Sequence, residues 1–531
     1  MKRPGKSKST SGSGTNPQFE CGDAKMELLS RRLSRRAVLH GGLKAAAGAA
    51  GLTALAPMLG LVKPADAQNR RRYDGVTVKV AVGSFMSTGV TLFTKAWEQE
   101  TGGKVEVVQI PFGDLYSKLL SAFTSHVNAY DLVIYANDWV PEFASAGYII
   151  SLEKYYPEKT NWNTVIPPVQ HLMYVKGKRY TVPMDGDCIF GYYRKDAIDN
   201  PQHASKFKAK YGYDLMPPTT WKQYHDIAEF FTGWDWAGDG IKGWGVLEAM
   251  GPHDVDPYIF TSHATAYSAH PDLPGTLFFD PATMRPQIAN PGWVRALNEW
   301  KALKPFGPPQ MATYGGGDER GNYPAGNYVF TIDWADTGVE AQDPTVSKIR
   351  GKLGYFILPG STEVYNYKTK KWDHFSTPSH APYLGWGGWH GSVTATSKIQ
   401  DAAWDFLNFL DSTRNALVAV TTAGTARNPY REDQFDPKPW IDGPMHYDDP
   451  KPYLDTIHAS FYNKNTQFDL RIPGGGQYFN SLDKWIQLAL SGSMSAERAL
   501  THCASEWERI TDQFGRDSQR EFYVTLQKMT G

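Results

Sequence analysis

The sequence predicts an α/β fold built on parallel sheets and spread over more than one domain. Three observations carry that expectation. First, Val105-Glu106-Val107-Val108-Gln109-Ile110 is a β-branched run stopped by Pro111. Leu115, Leu119, Ala122 and Phe123 then fall on one helical face, and Tyr130 to Tyr135 is a second apolar run. Strand, crossover helix and strand make the unit of a parallel sheet. Second, Asn137 and Asp138 follow that run at once, and ligands of parallel sheets are read at the carboxyl ends of strands. Third, 531 residues are too many for one hydrophobic core, so two or three domains are expected.

The remaining elements follow in order. Thr77 to Val82 is a first strand closed by Gly83-Ser84. A helix through Leu92, Phe93, Ala96 and Trp97 ends at Gly102-Gly103. Cys188 to Tyr193 is an extended run stopped by Arg194-Lys195-Asp196. Pro217-Pro218-Thr219-Thr220-Trp221 breaks the chain and supplies a helix N-cap, with the helix running to about Phe231. Residues 232–292 show little periodicity and are expected to be loop-rich. Val294 to Leu303 is helical, and Tyr328–Ile332 and Leu353–Ile357 are short strands. Ser392 to Thr396 is extended, Ala402 to Leu410 is an amphipathic helix, and 479–514 is helical with a break at Ser491-Gly492-Ser493.

Residues 1–67 are set apart as an N-terminal extension and export signal. Ser34-Arg35-Arg36-Ala37-Val38-Leu39 is a twin-arginine pattern. An Ala/Gly/Leu-rich stretch runs from Leu43 to Leu61, and Ala65-Asp66-Ala67 is a small-x-small cleavage site. A periplasmic protein exported by the Tat pathway and cleaved near Ala67 is expected. Without residues 1–67 the chain has 44 Lys/Arg against 51 Asp/Glu, a formal charge of −7. An acidic protein argues against nucleic acid or an anionic membrane surface as partner. Cys188 and Cys503 are expected as two separate buried thiols.

Enzyme motifs are lacking: there is no G-x-S-x-G elbow, H-E-x-x-H, P-loop or Rossmann glycine set. No cofactor or metal is expected. His374 and His380 lack metal spacing, and Asp235 to Asp239 has Ala237 where a calcium loop needs oxygen. With 17 Trp, 29 Tyr and 25 Phe, the chain has aromatic faces enough to stack on sugar or polyol C–H surfaces as well as to fill cores.

The order of segments resembles the extracellular solute-binding proteins (family 1) of ABC importers for sugars and polyols. KVEVVQIPFGDLYSKLLSAF looks like that family's second strand and helix, and YDLVIYANDWVPEFASAGYIISLEKY like its strand, acidic-aromatic loop and hydrophobic helix. GKRYTVPMDGDCIFGYYRKD resembles a first crossing between lobes; PPTTWKQYHDIAEF, GNYVFTIDWADTG, GKLGYFILPG and SKIQDAAWDFLNFL match later landmarks. GSMSAERALTHCASEWERI resembles the C-terminal helix pair. The resemblance implies two α/β lobes joined by hinge crossings: 74–188 plus 391–428, and 189–390 plus 429–531. It implies a monomer that captures an uncharged sugar or polyol, glycerol-type ligands included, between the lobes. The partners it implies are the ABC permease and ATPase subunits of the inner membrane. Segments 232–292 and 429–478 look longer than that core.

Thirteen residues are candidates for ligand contact. Asn137, Asp138 and Trp139 match the first-lobe binding loop, with a helix N-cap as the other reading of Asp138. Ser84 and Phe85 follow the first strand, where turn chemistry is the alternative. Asp185 and Asp187 flank the first crossing and are either ligand contacts or turn residues. Asp333, Trp334 and Asp336 hold the counterpart position in the second lobe, with Trp334 as stacking residue or core. Trp386 and Trp389 lie in the Gly-rich second crossing, one of them as packing. Arg427 reaches the cleft or pairs with a surface carboxylate. The rival from another class is a secreted glycan-active enzyme using Asp185 and Asp187 as paired carboxylates.

Overall fold

The computed structural model describes residues 71–159 and 161–527. The twin-arginine segment and its cleavage site lie outside them. Two sheets organise the chain. In the first, Lys104–Ile110, Thr77–Gly83 and Leu132–Ala136 run parallel in that spatial order, then Trp389–Val393 and Val182–Pro183 are added antiparallel. The second runs Gln467–Phe468, Tyr383–Leu384, Ile189–Arg194, Tyr328–Trp334 and Trp244–Leu247, with Leu353–Phe356 also paired to Ile189–Arg194. Helices Thr88–Thr101 and Phe112–Thr124 supply the crossovers of the first sheet. The first of them stops at Gly102, whose φ of +77° is the left-handed cap the Gly-Gly pair predicted. Thr220 caps Trp221–Phe231 in a full capping box with Gln223.

The chain passes between the sheets at 184–188 and at 385–388, and 427–430 packs against the first of these. A Cβ on Gly186 would stand 2.4 Å from the Pro429 carbonyl oxygen, and one on Gly388 2.3 Å from that of Asp185. Only glycine lets the crossings lie this close. The extended run expected at Ser392–Thr396 is a strand over Trp389–Val393.

Two regions expected to be loop-rich contain helices. Asp256–Ser268 is buried at every position, and a helix apolar or buried all round has no stripe for periodicity to reveal. Two of its hydroxyls bond back onto the helix itself: Thr261 and Ser262 donate to the carbonyls of Pro257 and Tyr258 at 2.7 and 3.1 Å. The segment 429–478 contains Lys451–Phe461, which packs on Ile189–Arg194 and Leu353–Phe356. The C-terminal pair is a trio: Gly475–Leu490, Ala496–Phe514 and Arg516–Gln527. Cys188 and Cys503 are separate buried thiols.

Candidate ligand-binding site

Three first-sheet strands run toward the second sheet and end in aromatic or acidic residues. Phe85 follows Thr77–Gly83, Phe112 follows Lys104–Ile110, and Asn137-Asp138-Trp139 follow Leu132–Ala136 as a single 3-10 turn. Asp138 does not cap the next helix, Val140–Ser145. Its carboxyl is 1 % exposed, yet neither oxygen has a hydrogen-bond partner. Burial, then the charge of Asp469, pushes it well above the usual carboxylate range. The indole N–H groups of Trp139 and Trp386 are also buried without an acceptor. Buried polar groups are nearly always paired, so three in one neighbourhood make this a candidate for an outside partner.

Aromatic rings from both lobes surround that place. Phe112 lies 6.4 Å from Trp139, nearly parallel, and 5.0 Å from Trp386. Tyr258, on the buried helix Asp256–Ser268, meets Trp386 edge-on at 5.1 Å and stacks on Phe479 at 4.4 Å. The Asp138 charge reaches Tyr258, Tyr383 and Tyr116, helping burial hold each phenol above its usual range. Trp389 sits outside this ring, edge-on to Phe85 at 5.0 Å and to Trp386 at 5.8 Å. Ser84 is exposed at the start of the first-strand turn.

Trp386 is held in an unusual conformation. Its φ is +65°, followed by +69° at Gly387 and +95° at Gly388. A bulky residue in the left-handed region costs about 1–2 kcal/mol and persists only where its surroundings dictate it. Asp469 supplies part of that constraint, accepting the Trp386 backbone N–H at 2.9 Å and the Tyr383 hydroxyl at 2.7 Å. Burial pushes Asp469 up to about 6 against those hydrogen bonds. Trp334 stacks behind Trp386 at 4.4 Å and donates its indole N–H to the Gly385 carbonyl at 3.1 Å, so it forms the back of the wall.

The other candidate residues are occupied differently. Arg320 forks onto Asp333 at 2.8 and 3.0 Å and reaches Asp336 at 3.2 Å, while the Thr337 hydroxyl also donates to Asp333. Burial pushes Asp336 up to about 7, with Arg320 pulling the other way. Within the hinge Asn428 donates its backbone N–H to Asp185 and its side-chain amide to Asp187, the latter at 2.8 Å, while the second oxygen of each carboxyl is buried without a partner. Arg427 donates to the Met184 carbonyl at 2.6 Å and leaves Nε and one Nη unpaired against the first turn of Thr88–Thr101. The structure therefore gathers Asp138, Trp139, Trp386 and Trp334 into one aromatic site, and Asp185, Asp187 and Arg427 into the hinge beside it.

Sequence reading missed Phe112, Tyr258, Phe479, Asp469, Arg471 and Arg320. Phe112 directly follows the strand-stopping Pro111, which could have flagged it by the rule that served for Asp138. The others have no local signal. Among the described residues no three His, Cys, Asp or Glu side chains are grouped to hold a metal ion. None of the described helices is long and apolar enough to cross a membrane.

With this geometry in hand, comparison with known proteins is informative. A model of the family described as bacterial extracellular solute-binding protein matches residues 93–446. A probable ABC transporter-binding protein of Deinococcus radiodurans is 25% identical over 332 residues, which cover 59% of this chain and 66% of that protein. Among solved structures, an ABC transporter solute-binding protein from Agrobacterium radiobacter in complex with ribitol superposes with a TM-score of 0.67 at 19% identity, covering 83% of this chain and 100% of that one. Maltose-bound MalE3 of T. maritima gives 0.66 at 19% identity, covering 82% and 100%. A solute-binding protein from Agrobacterium vitis with bound D-mannitol gives 0.62 at 19% identity, covering 84% and 99%. These structures share the two-lobe periplasmic-binding-protein fold, and the chain belongs to the bacterial extracellular solute-binding protein family.

Proposed function

We propose that the protein captures an uncharged sugar or polyol in the cleft between its lobes and delivers it to the permease and ATPase subunits of an ABC importer. The observation that carries this reading is Asp138, buried with both oxygens unpaired beside two unpaired indole N–H groups. A diol donates two hydroxyl protons to one carboxylate and offers its oxygens to N–H donors, while its C–H faces pack on Trp386 and Phe112. Similar structures bound to ribitol, D-mannitol and maltose support the same class. Closing the lobes around the ligand supplies the two states a permease can distinguish. We take the lobes as 74–188 plus 391–428 and 189–390 plus 429–531. We take the protein as a monomer, exported through the Tat pathway to the periplasm and cleaved near Ala67.

The protein is a receptor and not an enzyme on this reading. Asp185 and Asp187 are both held by Asn428 inside the hinge, whereas a glycosidase needs its two carboxyls to face a sugar held between them. Ser84, Phe85, Trp389 and Arg427 line the approach and hinge; Asp333 and Asp336 hold Arg320 in place. A thermal-shift screen of the purified exported protein against ribitol, mannitol, tagatose, maltose, glycerol, amino acids and polyamines tests the class. A ligand at a hundred times its Kd stabilises by about 2.7 kcal/mol, several degrees for a chain of this size. A shift with a sugar or polyol alone supports the reading, and a shift with polyamines or amino acids alone refutes it.

A further inference from the structure

Arg471 is a buried cation. It is 7 % exposed, and the hydrogen bonds of its guanidinium among the described residues all go to neutral acceptors. Nε donates to Asn137 Oδ1 at 2.6 Å, and one Nη donates to the carbonyls of Leu172 and Tyr174 at 2.9 and 3.1 Å. Burial lowers it to about 10, with Tyr135 and Asp138 opposing. All three acceptors belong to the first lobe. Arg471 itself sits in a strap, 469–474, that leaves second-sheet strand Gln467–Phe468 and enters helix Gly475–Leu490, which packs on Ala496–Phe514 and Asp256–Ser268. The strap makes a second contact of the same kind, where Gly474 N–H donates to Glu142 Oε2 at 3.0 Å. Asn137, the acceptor of Nε, immediately precedes Asp138.

We propose that Arg471 is the positioning residue that latches the lobes shut, tying the strap to the residue next to the ligand's carboxylate. The proposal rests on the reading of Asp138 as that carboxylate. A cation buried against neutral carbonyls is a poor arrangement for a resting state. When the lobes part, the guanidinium returns to water and its three acceptors become accessible, so its bonds exist only in the closed form. A ligand between the lobes supplies the free energy that draws Arg471 in, and Arg471 returns part of it as charge-assisted hydrogen bonds.

The test separates a latch from a structural arginine by two readouts on the exported protein: the unliganded melting temperature, and the affinity for whichever of ribitol, mannitol, tagatose or maltose binds the wild type most tightly. The expected result for Arg471→Met is an unliganded Tm within about 1 °C of wild type and affinity lower by about tenfold to a hundredfold. Arg471→Lys keeps the cation without the fork and is expected to fall between the two. An unliganded Tm lowered by several degrees, failure of Arg471→Met to fold, or an affinity equal to wild type overturns the proposal. If none of the four probes binds wild type, the sugar and polyol reading fails. The unliganded melt then decides the latch alone: unchanged supports it, lowered overturns it.

Discussion

Asp138 follows the strand Leu132–Ala136 of the first sheet and Asp333 lies at the end of Tyr328–Trp334 in the second, each preceding a tryptophan, and their surroundings could hardly differ more. Both are fully buried. Asp333 is gripped by the fork of Arg320 and by Thr337, and its neighbour Asp336 shares the same guanidinium. Asp138 has no side-chain partner on either oxygen, and only the backbone N–H groups of its own turn, those of Asp138 and Trp139, act on it. The contrast separates a carboxylate spent on the scaffold from one left open, which the proposed function assigns to the ligand. A buried carboxylate whose hydrogen bonds are complete has no capacity left for a ligand. One whose bonds are missing carries a desolvation cost that protonation or an outside partner relieves.

The tryptophans repeat the contrast. The Trp334 indole N–H is spent on Gly385, while those of Trp139 and Trp386 are not. Trp334 thus supports Trp386 from behind, and the strained φ of Trp386 is held in place by Asp469 from a third part of the chain.

The largest expected effect strikes the scaffold side. Arg320→Met leaves Asp333 and Asp336 buried without their cation, and a loss of about 3–5 kcal/mol of folding stability is expected in urea unfolding at neutral pH. A variant as stable as wild type would mean the pair is not what holds that strand end.

A second prediction extends the contrast to a base. His390 is buried on the strand Trp389–Val393, its Nδ1 bonded to the Thr181 hydroxyl at 2.8 Å and its Nε2 unpaired. Burial, then Arg471, lowers its pKa to about 3 from 6.5. The unfolded chain therefore binds a proton that the native protein refuses between those values. Its contribution is complete above pH 6.5 and is lost at about 1.4 kcal/mol per pH unit as pH falls toward 3. Asp469 and Asp336 have the opposite sign, because their raised values make the native state take up protons first, so only the difference between variants isolates the histidine. His390→Gln should lose less stability than wild type between pH 6.5 and 4.5. Parallel curves for the two proteins would remove His390 from the account.

The smallest effects come from exchanging indoles for phenyl rings. Trp334→Phe removes a satisfied bond, so a stability loss of about 1 kcal/mol with nearly unchanged affinity is expected. Trp139→Phe removes an unpaired donor, so stability should hold while affinity falls several-fold. The reverse pattern in calorimetry and melting would break the distinction between paired and unpaired groups.

How much of this could be read from the chain depends on the range of the forces involved. The β-branched run before Pro111, the helix face at Leu115, Leu119 and Phe123, and the Gly102 stop are local signals, and each appears where expected. Asn137, Asp138 and Trp139 were legible because the strand-end rule needs only the strand. The helix Asp256–Ser268 was not, since burial on every side erases the period that betrays a helix. Nor could the sequence reveal that Asp333 is neutralised, because its partner Arg320 belongs to another helix and only packing brings them together. Arg471 and Asp469 lie in an irregular strap whose importance comes wholly from what it crosses.

The central claim is that Asp138 is kept unpaired for a polyhydroxyl ligand. Isothermal titration of wild type and Asp138→Asn with whichever of ribitol, mannitol, tagatose or maltose gives the largest thermal shift tests it most directly. Asp138→Asn is expected to bind at least about thirtyfold more weakly while its unliganded melting temperature stays close to wild type, since a buried carboxyl without side-chain partners is replaced by an amide of the same shape. Equal affinities, or a variant whose unliganded stability collapses, would contradict it.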